Sequence, residues 1–144
     1  MRKPGMTAKF LSLLYLATVV YLTFFISRRK GEHDYRSKLN LHPFQFIDTL
    51  ISIISHHQRI LTQFFISFFG NIILFMPLPA VIYFLSGKIV NFKLGLLFVL
   101  GATLIVELLQ YTLDLGVFDV DDIFLNFLGG IIGLIAFDSK VKNK

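Results

Sequence analysis

The sequence predicts an all-α polytopic membrane protein: a bundle of about four transmembrane helices, with an amphipathic helix in the first outer loop. Three observations carry this. Only 16% of the 144 residues are charged, against about 25% in an average soluble domain. The chain is 55% hydrophobic with a mean hydropathy of +0.71. Its apolar residues gather in four long tracts almost free of charge, with Lys and Arg at their flanks. The length suits one domain, residues 1–144. With no Cys, disulfides, thiolate chemistry and cysteine-held metal centres are excluded. The net charge of +5 lies beside apolar tracts and forms no groove-binding stripe, so the expected partners are membrane lipids and not nucleic acid.

The first tract, residues 10–27, has no charge and is long enough to cross a core of about 30 Å. It begins like a signal peptide, with Arg2, Lys3 and Lys9, but its apolar stretch exceeds the usual length of about 7–15 residues. Arg28, Arg29 and Lys30 follow it with no small-residue cleavage site, so an uncleaved span is expected. The second tract, residues 60–85, contains Pro77 and Pro79, which break or kink a helix. The third, residues 94–113, holds one charge, Glu107. The fourth apolar stretch, residues 123–137, covers only about 22 Å as a helix. To span, it must begin near residue 119 and carry Asp119, Asp121 and Asp122 with it.

Between the first two spans, Ile47, Leu50, Ile51 and Ile54 recur at helical spacing after Pro43, with Gln45, Asp48, Thr49, Ser52 and Ser55 mostly between them. This amphipathic helix reads either as a lid or lipid-contacting element or as a connector that covers apolar surface. Basic residues set the expected orientation. With both termini cytoplasmic, eight Lys and Arg lie inside and six outside, and the turn between spans three and four has none.

Polar residues inside the tracts form stripes. Gln63, Ser67, Gly70 and Asn71 share one face of span two. Thr103, Glu107, Gln110, Tyr111 and Asp114 share one of span three, and Asp119, Asp122, Asn126, Gly130 and Gly133 one of span four. Alternating span direction brings all three stripes to the same half of the membrane, the outer half in this orientation. Asn71, Glu107, Gln110, Asp119, Asp121, Asp122 and Asn126 are therefore the candidate polar pocket. As structural glue these groups would join helices; as a site they would line a solvated or headgroup-binding cavity. Glue suits the amides better than the acids, because no Lys or Arg lies between Lys93 and Lys140. Some of those acids must then be protonated, solvated or bound to a cation.

Other chemistry is poorly supported. The aspartates do not follow the EF-hand spacing, and His33, His42, His56 and His57 form no i, i+4 or HExxH pair, so no metal and no cofactor is assigned. There is no P-loop and no nucleophile elbow. Gly129 and Gly133 form a GxxxG, which permits close helix approach and gives a candidate face for self-association.

Four short elements resemble those of VanZ-like membrane proteins. Asn40-Leu41-His42-Pro43-Phe44 is similar to their N-L-x-P-F, and Asn71 to Leu78 to N-x-x-L-F-x-P-L. Glu107-Leu108-Leu109-Gln110 matches E-x-x-Q, and Phe118 to Asp122 with Asn126 and Gly129 matches F-D-x-D-D-x-x-x-N-x-x-G. They occur in the family's order across residues 40–133. The family often has an Arg shortly before its acidic element, where this chain has Leu115-Gly116-Val117. The resemblance implies a bacterial membrane protein acting at the cell envelope. It also implies lowered sensitivity to teicoplanin-type glycopeptides, with a lipid-linked cell-wall precursor or the glycopeptide itself as partner. Three alternatives stay open: a membrane enzyme on a lipid-linked headgroup with Glu107 as acid or base, an ion or proton pathway, and a non-catalytic assembly partner.

Overall fold

Four stretches are apolar and long enough as helices to cross a membrane, and they match the four predicted spans: Met6–Phe24, Phe64–Ser86, Phe92–Thr112 and Val120–Phe137. The computed structural model describes residues 4–26, 39–56, 59–88 and 91–142. The basic segment Arg28 to Lys38, His33, His57 and the side chain of Gln63 lie outside what is described.

Helix α1 (Met6–Tyr21) ends in a wider π-helical turn at Leu22–Ile26. A two-residue strand β1 (Leu39–Asn40) leads into α2 (Gln45–His56). The second span is α3 (Arg59–Phe75) followed by α4 (Leu78–Ser86). The break falls at Met76–Pro77, because Pro77 and Pro79 cannot donate to the carbonyls one turn before them. There the Tyr15 hydroxyl donates to the Leu74 carbonyl, which ties α1 to the kink. Helix α5 (Phe92–Thr112) starts at Asn91, whose side chain accepts from the Leu94 amide as an N-cap. Strand β2 (Phe118–Asp119) then enters α6 (Val120–Lys142). The strands pair in parallel, Leu39 with Phe118 and Asn40 with Asp119, a detail the all-α expectation did not contain.

Helix α6 is the centre of the bundle: 39% of its span is enclosed, against 17–22% for the other three. It lies parallel to α3 and antiparallel to α5. The buried residues of α5 form one stripe, Gly95, Val99, Thr103, Glu107 and Gln110. Val99 seats against Gly130, and Leu134 against Gly95. On the other side, a Cβ at Gly129 would overlap the Ile72 carbonyl, and one at Gly133 the Met76 carbonyl. The GxxxG read as a self-association face is thus filled by α3 of the same chain; the small residues let backbones meet within one subunit.

Gly133→Val should lower the unfolding free energy in detergent by about 1–3 kcal/mol or more, since the added carbons meet backbone that cannot rotate away. Gly101→Ala, whose Cβ meets nothing within 4 Å, is the matched control and should leave stability nearly unchanged.

Candidate functional site

At the end of the bundle where α2 and α6 begin and α5 stops, the four residues from Asp119 to Asp122 divide their carboxylates among several elements. Asp119 caps its own helix, accepting from the Asp121 amide at 2.9 Å, and its other oxygen accepts from the Asn40 side chain at 3.1 Å. The Asp119 amide donates to the Glu107 carboxylate of α5 at 3.0 Å. Asp122 faces α3 and accepts from the Asn71 side chain at 2.6 Å. All these donors are amides, of backbone or of Asn.

Asp121 does something the spacing could not announce. Its two oxygens accept from the Phe44 amide at 2.6 Å and the Phe46 amide at 3.0 Å, capping the N-terminus of α2 from another helix. Phe44 has φ of 65°, the left-handed region, where a bulky residue costs about 1–2 kcal/mol. The Asp121 bonds and the packing of the Phe44 ring on Phe46 and Phe124 hold it there.

A cavity of about 350 Å³ opens beside this segment, between α2, α3 and the start of α6. Asn40, Gln45, Thr49 and Ser67 join the three aspartates on its polar side, and Phe46, Phe64, Phe68 and Leu125 form the apolar side. Asn40 bridges the two segments, donating also to the side-chain oxygen (Oε1) of Gln45 at 2.6 Å.

The sequence-derived set therefore divides. Asp119, Asp121 and Asp122 line the cavity; Asn71 stands behind Asp122, held by its hydrogen bond. Glu107 is turned inward, only 2% exposed, and reaches the cluster by accepting the Asp119 amide. Asn126 is buried, and its Oδ1 finds no donor among the described residues. Gln110 departs: it is buried, but its amide donates to the Thr23 carbonyl at the end of α1. Asp114, on the same sequence stripe, is exposed in the turn after α5. Among the described residues no three His, Asp or Glu converge as a metal cage. Sequence spacing missed Asn40, Gln45 and Thr49 as wall residues. Asn40 was signalled only by the N-L-x-P-F element, since its partner Asp119 is 79 residues away.

The family model described as VanZ/LLP1 matches residues 11–140. The protein VanZ of Enterococcus faecium is 28% identical over 128 residues, covering 84% of this chain and 67% of that protein. No solved structure matches the chain.

Asp121→Asn keeps the size but replaces one acceptor with a donor, so either Phe44 or Phe46 loses its partner. Hydrogen exchange of the α2 amides should quicken by about 10- to 100-fold, the equivalent of roughly 1–3 kcal/mol, while exchange in α5 holds.

Proposed function

The chain belongs to the VanZ/LLP1 family, and on that footing we propose that it acts at the outer face of the cell membrane, both termini cytoplasmic, and lowers sensitivity to teicoplanin-type glycopeptides. The cavity beside Asp119–Asp122 is the observation that carries this reading. Its polar side offers carboxylates, amides and hydroxyls, and its other side offers aromatic rings. A lipid-linked cell-wall precursor has the matching composition: a head rich in hydroxyls and amides joined to an apolar carrier. Engaging that head would change how much of it a glycopeptide meets.

Binding is favoured over the alternatives by two features. Glu107 does not line this cavity and is almost wholly buried, so a headgroup there does not meet it as acid or base. Deeper in the bundle, the α5–α6 contact is made by Val99, Gly130, Gly95 and Leu134, with Thr103 bonded to its own helix. Beyond Thr103 and Asn126, that contact is apolar among the described residues, which weighs against an ion or proton pathway along α5 and α6.

Expression in a glycopeptide-sensitive Gram-positive host should raise the inhibitory concentration of teicoplanin several-fold. Ser67→Phe and Thr49→Phe fill the cavity without touching its aspartates, and each should remove the increase at unchanged protein level in the membrane. No increase from the unmodified chain, or an undiminished one from the filled variants, contradicts the proposal.

A further inference from the structure

Helix α2 has three faces. Phe46, Thr49, Leu50 and Ile53 turn toward the bundle, and Ile53 is its buried residue. Asp48 and Ser52 form an exposed polar face. Ile47, Ile51 and Ile54 form the third, and they are 44%, 58% and 77% exposed. On a helical wheel the three face centres lie roughly 120° apart, at 100° per residue.

Its anchors fix how deep α2 sits. The Phe46 ring lies 5.4 Å from Phe68, and the Phe44 ring 5.7 Å from Phe124. Phe68 and Phe124 each stand one turn inside their spans, about 6 Å at 1.5 Å per residue. The start of α2 is therefore held against residues that lie inside the apolar stretches of α3 and α6. The neighbouring helices also carry exposed apolar side chains, Phe65 and Phe69 of α3 and Phe124 of α6. At that depth the medium beside an exposed isoleucine is the acyl-chain boundary.

We propose that α2 is an interfacial membrane helix, seated through Ile47, Ile51 and Ile54 in the lipid at the edge of the hydrocarbon core. One face rests on the bundle, one on lipid and one on water. Taken with the cavity reading above, this sets the opening between α2 and α3 at headgroup depth, so a ligand enters it from the bilayer.

The chain contains no Trp, so each introduced indole reports one position. The full chain is reconstituted in phosphatidylcholine–phosphatidylglycerol vesicles, with or without phosphatidylcholine brominated near the top of its acyl chains. Ile47→Trp and Ile54→Trp should lose most of their emission to the brominated lipid and little to aqueous iodide. Ser52→Trp should show the reverse. Phe65→Trp, on the lipid-facing side of α3, must be quenched by brominated lipid in any correctly inserted sample. Iodide quenching of Ile47→Trp and Ile54→Trp equal to that of Ser52→Trp overturns the proposal. So does protection of both from either quencher while Phe65→Trp responds, which would mean that another protein surface covers the face. The readout involves neither antibiotic nor cavity, so it stands or falls apart from the teicoplanin test.

Discussion

The hydrogen bonds of the Asp119–Asp122 segment are the interaction on which the rest of this end of the molecule depends. Asp119 caps α6 and holds Asn40; its amide holds Glu107 of α5; Asp121 caps α2; Asp122 holds Asn71 of α3. Three of the connected side chains, Asn71, Glu107 and Asp122, belong to apolar spans, and Glu107 is buried away from water. A hydrogen bond to a charged group contributes about 1.5–3 kcal/mol, and a buried group stripped of its partner costs a similar amount. The two-residue strand pair follows from the same requirement. Among the described residues it is a two-stranded sheet, and it aligns Asn40 with Asp119.

The reach of those side chains is set deeper in the bundle. Asn is short, so Asn71 meets Asp122 only because α3 and α6 lie backbone to backbone close by, at Ile72 and Gly129. Ile72 and Met76 place their carbonyls where Gly129 and Gly133 have no side chain. Both pairs have the same spacing, so one parallel register serves the packing and the polar pair together. The Pro77 break bends the second span just below this contact, and Tyr15 secures the bend from α1. Packing thus fixes the position of the acids, and the acids in turn fix α2.

Much of this was legible in the sequence for a physical reason. Four apolar tracts can be stable only as spans, and an acid inside one of them must turn inward, as Glu107 does. The need for the fourth helix to begin near Asp119 followed from length alone, and α6 begins at Val120. Partners were not legible, because period gives a face but not its neighbour. Gln110 shares a stripe with Glu107 yet turns to Thr23, and GxxxG could not say whether its partner was another copy or α3. In α2 the repeat of Ile47, Leu50, Ile51 and Ile54 marked one apolar face without saying what it meets; Leu50 and Ile53 turn to the bundle, and Ile47, Ile51 and Ile54 point away. The capping of α2 by Asp121 joins segments 75 and 77 residues apart, beyond any local signal.

The acids of this site therefore build a wall before they meet any ligand. Asp119 and Asp121 each have both oxygens engaged by amides, which makes the cavity a preorganised recess and leaves its hydroxyl and amide rim to vary in what it holds. The claim that polar pairing at this depth holds the bundle end together is tested most directly by a double-mutant cycle of Asn71→Ala and Asp122→Ala, read as unfolding free energy in a bilayer-mimetic detergent. A coupling of at least about 1 kcal/mol, above the roughly 0.6 kcal/mol typical of interhelical pairs, is the result this account predicts. Effects that add to within about 0.5 kcal/mol would contradict it.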